Sequence, residues 1–153
     1  MAIVINGNGS ISGISVGGLN DGCVDSGTIV TDGTYSTINL KDVGVTTNAI
    51  GSIGGGAQTI DLELGNSVSG TVDTSTTTFT FSNPTAGDEL CTFVLTLTNG
   101  GSQTVNFPAT VDWAGGTAPT LTTAGVDILV FATIDGGTIW HGQPFSLDSK
   151  TPS

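Results

Sequence analysis

A chain of 153 residues with only two basic side chains, Lys41 and Lys150, against 13 carboxylates carries a net charge of −11. That balance excludes nucleic acid and anionic membrane surfaces as partners, since both are gripped by clustered Lys and Arg. The length suits one domain able to bury about 68–70% of its unfolded surface. The longest apolar runs, Met1–Ile5 and Ile128–Ala132, fall well short of the roughly 18 residues of a spanning helix.

The start, MAIVINGNGS, has no basic stretch and only a short apolar run, so no secretory signal is expected and synthesis in a cytoplasm is. Residues 1–56 hold 13 of the 24 glycines. Ile3 and Ile5 alternate with Ala2 and Val4 as in a short strand. Ile11, Ile14, Val16 and Leu19 then sit singly among small residues, a spacing that sustains no helical stripe. Asp32-Gly33 predicts a hairpin between Ile29–Thr31 and Tyr35–Leu40. With so few large side chains this segment buries little by itself. It reads as an extended arm that packs on another subunit or another protein, ending in a linker over Gly51–Gly56.

From residue 57 the patterning becomes regular. Ile60, Leu62 and Leu64 alternate with Asp61 and Glu63, predicting a half-exposed strand with an acidic outer face. Ser69–Asp73 and Thr77–Phe81 are further strands, the second stopped by Ser82-Asn83-Pro84. Leu90–Leu97 gives the clearest alternation, with Cys91, Phe93, Leu95 and Leu97 on one face and Thr92 and Thr96 on the other. Asn99–Ser102 reads as a hairpin turn into Gln103–Phe107. Val111 and Trp113 precede the loop AGGTAPT. Asp127–Ile134 is apolar on both faces, as a central strand would be, and Asp135-Gly136-Gly137 turns it back into Thr138–His141.

This density of short strands and Gly turns predicts an all-β fold, a jelly-roll-like β-sandwich or a small barrel. The expected organisation is an arm over 1–56, the β domain over 57–147 and a frayed tail over 148–153. Phe93, Leu95, Trp113, Ile128, Val130 and Trp140 are the expected core, of the domain or of a subunit interface.

The motifs carry little chemistry. Gly13-Ile14-Ser15-Val16-Gly17 matches the nucleophile-elbow spacing but lacks the helix that must follow. His141, the only histidine, would have to serve any histidine-based triad, with Asp112, Asp127 or Asp135 orienting it; a strand-face histidine beside Trp140 is the simpler reading. One histidine and no closely spaced cysteine pair exclude an ordinary zinc site. Asn20–Asp25 has carboxylates near glycine but no EF-hand spacing, and turn chemistry explains it. Asp61 and Glu63 read as a solvated strand face rather than a catalytic pair. Gly7 and Gly9 have no third glycine in dinucleotide-loop position, and Asn8-Gly9-Ser10 is a glycosylation sequon by letter alone. Trp113, Trp140 and Tyr35 could form a sugar platform or pack in a core. Cys23 and Cys91 are compatible with one disulfide or with two free thiols, Cys91 being buried. No catalytic residue, metal or cofactor is expected.

The ordered set TIDLELGNSVSGTVDTSTTTFTFSNPTAG, FVLTLTNGGSQTVNFPATVDWAGGTAPTLT and VDILVFATIDGGTIWHG resembles a recurrent module of tailed-bacteriophage virion proteins. Such modules end tail-fibre-like proteins and also occur in head-fibre and decoration proteins. The matching marks are the strand near Ile60–Leu64, Phe79–Pro84, Trp113 with Gly115–Pro119, and Asp135–Thr138 with Trp140. The opening INGNGSISGISVGGLNDG is similar to Gly-rich starts of cyanophage-type structural proteins. The resemblance implies a non-enzymatic virion protein, a homotrimer with a β-sandwich domain. Its small size points to a capsid decoration (cement) protein bound to the major capsid protein. Ile3, Ile5, Ile11, Ile14, Val16 and Leu19 of the arm would then meet the shell. The other expectation is a short tail fibre or fibre-tip module, for which a glycan receptor would be the partner.

Overall fold

The structure, a computed structural model, describes residues 41–150. The chain divides into two compact units, Met1–Asp42 and Val43–Ser153. Of the first, Lys41 and Asp42 are described, as an exposed bend. The second is all-β. Its strands are β1 (Thr47–Ile53), β2 (Gly56–Asp61), β3 (Ser67–Val72), β4 (Thr77–Ser82), β5 (Gly87–Thr98), β6 (Val105–Asn106), β7 (Val111–Trp113), β8 (Val126–Asp135) and β9 (Trp140–Ser149). One-turn 3-10 segments occur at Leu62–Leu64, Gly100–Ser102 and Ala114–Gly116.

Two sheets share these strands, one of six in the order β1-β3-β5-β8-β9-β7 and one of three in the order β2-β4-β6. From β1 to β6 the chain alternates between them. Each strand lies parallel beside the one a full coil later, Thr47 next to Ser67 and Gly56 next to Thr77. The coil is 20 or 21 residues between Thr47 and Ser67 or Thr59 and Thr80, and it lengthens to 28 between Thr78 and Asn106. A parallel pair needs a long crossover, and here the crossover is the strand of the opposite sheet, the way β-solenoids are wound. β5, β8 and β9 then close the large sheet as an antiparallel meander.

Several expectations change accordingly. A jelly roll pairs its strands antiparallel, whereas β1, β3 and β5 run parallel. Asn99–Ser102 does not close a hairpin, because β5 and β6 belong to different sheets. Asn99 sits in the left-handed region at φ 56°, its backbone N–H donates to the Gly125 carbonyl, and a Cβ on Gly101 would collide with the Leu121 carbonyl. The glycines there admit a close backbone approach instead of a tight reversal. β1 lies inside the segment read as arm and linker, since Gly51–Ile53 completes an edge strand paired to β3. β2 ends at Asp61, where the Asp61 carboxylate accepts from the Glu63 N–H and starts a 3-10 turn, so Asp61 and Glu63 do not share a strand face. Asp148 and Ser149 are the end of β9 rather than a frayed tail.

The inner faces of both sheets meet in one core. Ile53, Val68, Val72, Phe93, Leu95, Leu97, Leu129, Phe131 and Trp140 from the large sheet bury against Ile60 and Phe79 from the small one. The strict alternation of β5 and β8 places Cys91, Phe93, Leu95 and Leu97 beside Leu129, Phe131 and Thr133. At its centre the Phe93 and Phe131 rings stack at 4.8 Å, and Phe81 meets Phe93, Phe131 and Trp140 edge-on at 4.9–5.4 Å. Each fully buried ring of this kind contributes about 1.5–3 kcal/mol by its removal from water.

Candidate functional surface

The alternation that fills the core leaves the opposite face of the large sheet outward. On β5 that face carries Leu90, Thr92, Val94 and Thr96; on β8 it carries Ile128, Val130, Ala132 and Ile134; on β9 it carries His141 and Gln143. The register sets these residues in rows. Ser67, Val94, Val130 and Gln143 form one row, and Thr92, Ala132, His141 and Asp112 form the next. Leu90 and Ile134, 69% and 63% exposed, continue the apolar strip towards the end of β8, and Phe145 and Leu147 on β9 are exposed as well. Across the rows from Val94 to Gln143 and from Thr92 to His141 there is no carboxylate, on a chain whose net charge is −11.

Beside β7 the face dips into an open depression of about 380 Å³. Val130 and Ala132 form its floor, and Asp112, His141 and Gln143 supply its polar groups. Asp112 and His141 are register partners on parallel strands. Of the three carboxylates named as possible orienters of His141, only Asp112 shares its face. Asp127 is fully buried, accepting from the Thr122 N–H and hydroxyl and the Asp148 N–H. Asp135 is spent on the turn between β8 and β9. Its Oδ1 accepts from the Ile139 N–H at 3.1 Å and the Thr133 hydroxyl at 2.7 Å, and those two donors, the Ile139 amide first, hold its carboxyl below the usual carboxylate range. Gly136 and Gly137, at φ 68° and 83°, complete the turn in a conformation that side chains resist.

Compared with protein-family models, curated proteins and solved structures, the chain matches none of them.

The expected core residues separate into two groups. Phe93, Leu95 and Trp140 are buried, and Trp113 is half-buried with its ring edge-on to Phe107 and Phe131 at 5.0 and 5.6 Å. Ile128 and Val130 lie instead on the outer face. Trp140 is closed inside the aromatic cluster and offers no free face as a sugar platform, whereas half-buried Trp113 both packs on that cluster and lines the depression beside β7. Cys91 is buried and has no disulfide partner among the described residues. Among the described residues no group of three or more His, Cys, Asp or Glu is placed to hold a metal ion. Ile3, Ile5, Ile11, Ile14, Val16 and Leu19 lie outside the described residues, as do Cys23, Tyr35, the Gly13–Gly17 motif, the Asn20–Asp25 loop and the hairpin over 29–40.

Leu90, Val94 and Ile134 were not singled out from sequence. Their signal is apolar residues at the outward positions, Ile134 in the two-sided apolar run of β8 and Leu90 and Val94 alternating with the core positions of β5. A strand covered on both faces and a strand with an exposed apolar face have the same letters.

Proposed function

We propose that this chain is a non-enzymatic structural protein of a tailed-phage virion, a decoration (cement) protein that binds the head shell and stabilises it. The observation that carries the reading is the apolar strip on the outward face of β5 and β8, Leu90, Val94, Ile128, Val130 and Ile134, whose central rows from Val94 to Gln143 and from Thr92 to His141 hold no carboxylate on an otherwise acidic molecule. Exposed patches of this kind mark protein–protein contact. The resemblance of the ordered sequence marks to virion modules is what points to the particle. On this reading the β domain is a sandwich whose copies assemble as a trimer. Its contacts tie neighbouring subunits of the major capsid protein, and the chain is made in the host cytoplasm before it joins the virion.

A second reading, a short tail fibre or fibre-tip module, draws on the depression beside β7, where His141, Gln143 and Asp112 stand over an apolar floor. That combination of polar rim and apolar base suits a saccharide.

Immunogold labelling of purified virions with an antibody to this chain separates the two. Gold spread over the head is the expected result. Gold confined to the tail tip replaces decoration by the fibre reading, and unlabelled particles with free protein in the lysate refute both.

A further inference from the structure

The two sheets end differently at their two sides. On one side the edge strands are β7, of three residues, and β6, of two residues running on to Pro108. Short strands and a nearby proline are the usual means of blunting an edge. On the other side the edges are β1 and β2, of seven and six residues, with no proline or lysine in either. β1 carries a register shift between Ala49 and Gly51, itself a partial guard. β2 has none and matches β4 residue for residue from Gly56 to Asp61.

The direction of the β2 backbone follows from one bond. The Gly56 N–H donates to the Thr76 carbonyl at 2.8 Å, on the β4 side. Backbone groups alternate along a strand, so those of Gln58 and Ile60 also face β4, while the N–H and C=O of Ala57 and Thr59 face away from it. Among the described residues no strand takes them up. The Thr59 carbonyl is covered only by the amide of its neighbour Gln58, at 3.1 Å. Both Ala57 and Thr59 are exposed.

We propose that β2, with β1 alongside, is a self-pairing edge at which two copies of this chain join. A two-fold axis normal to the sheets brings β2 against β2 of the second copy and β1 against β1, both antiparallel, so that each sheet continues across the junction. With Ala57 opposite Thr59 of the second copy, the four edge-facing groups of each β2 are all paired. Two features select a second copy over another partner. A match to both edges at once requires the same two-sheet end, which an isologous contact supplies, whereas a lone peptide strand completes one sheet only. The outward side chains on these edges are also small and uncharged, Thr47, Ala49, Ala57 and Thr59. Two molecules of net charge −11 therefore meet with no carboxylate opposed until Asp61 at the strand end, and like charges set opposite each other destabilise a strand pair. This junction does not depend on the virion reading, which immunogold tests separately.

The test is sedimentation of the full chain over a range of concentration and salt, together with amide hydrogen exchange. The expected result is a concentration-dependent doubling of mass, of the monomer or of a smaller assembly, that slows exchange at Ala57 and Thr59 while Gln58 and Ile60 are protected throughout. Added salt strengthens it by screening the two acidic bodies. Thr59→Pro, which removes an edge donor and leaves the β4 ladder whole, weakens association by about tenfold or more at any salt. Ala57→Asp, on an exposed small residue, weakens it in a manner that salt partly restores. Any of three results overturns the proposal: no doubling at any concentration, association without a change at the Ala57 and Thr59 amides, or protection of those amides already in the dilute monomer, which would mean that the edge is covered within one chain.

Discussion

Asp127 is a carboxylate with no exposed surface, on an inward position of β8 between Val126 and Ile128. Its Oδ2 accepts from the Thr122 N–H at 2.6 Å; its Oδ1 accepts from the Thr122 hydroxyl at 2.7 Å and the Asp148 N–H at 3.0 Å. It thereby ties the loop before β8 and the end of β9 to the middle of the sheet. Asp127→Ala removes both acceptor oxygens and with them all three hydrogen bonds, leaving the N–H groups of half-buried Thr122 and exposed Asp148 without their protein partner. A fully buried orphan costs about 1–3 kcal/mol and water reaching these two N–H groups lowers that, while breaking a buried charged network commonly costs about 3–5 kcal/mol, so a loss of about 2–4 kcal/mol is expected. Asp127→Asn keeps the Oδ1 acceptor but turns an amide NH₂ towards the Thr122 N–H, for a loss of about 1–3 kcal/mol. Urea unfolding measures both, with the midpoint falling and the slope unchanged if the folded state is otherwise intact. Thr122→Val completes a double-mutant cycle. It costs about 1 kcal/mol in the wild-type background and close to nothing once Asp127 is alanine. An Asp127→Ala protein within about 1 kcal/mol of wild type, or a Thr122→Val cost equal in both backgrounds, refutes this account of the buried acid.

Gly142 is packed so closely that an added Cβ would lie 2.9 Å from both the Trp113 ring and the Val111 side chain and 3.1 Å from the Phe131 ring. Gly142→Ala is expected to cost about 1–3 kcal/mol by overpacking and to alter the near-ultraviolet signal of Trp113; unchanged stability would show that β7 can move away freely. Asp135, held below its ordinary value of 3.8 by the Ile139 amide and the Thr133 hydroxyl, contributes stability that is present above that ordinary value. The contribution is lost as pH falls through the lowered folded value. An acid titration of stability should therefore fall less steeply there in Asp135→Asn than in wild type, and equal slopes would remove Asp135 from the account. Val94→Glu places a charge in the middle of the outer face, opposite Val130. If the chain is the proposed head decoration protein, this change is expected to abolish binding to phage heads while shifting the thermal midpoint little, and retained head binding would take that face out of the contact.

The legible part of the fold was local. The alternation in Leu90–Leu97 fixed which side of β5 enters the core, because side chains on a strand alternate whatever the strand pairs with. Asp135-Gly136-Gly137 marked the β8–β9 reversal, where positive φ values demand glycine. Partner choice was not legible. Asn99-Gly100-Gly101-Ser102 has the letters of a hairpin, yet its glycines serve a close approach to Leu121 and the chain crosses to the other sheet. β1 was hidden because its outward residues, Thr47, Ala49 and Gly51, are small and leave only Ile50 and Ile53 as apolar marks of an edge strand. The coil spacing left no obvious repeat, since the residues that stack across it, Ile60 on Phe81 and Gln58 on Phe79, need only fill adjacent space and not match in kind.

Sequence alone determined the class of this protein: all-β, strongly acidic, with cores built from alternating strands and turns set by glycine. These are properties of single strands and of net charge, and no long-range contact is needed to fix them. Only the tertiary structure decided that the first six strands wind as parallel coils between two sheets, that Asp127 is a buried anchor rather than a partner of His141, and that Val94, Val130 and Ile134 face outward together. Each of these depends on which strand lies beside which, and the free energy of that choice resides in contacts between residues 20 or more positions apart.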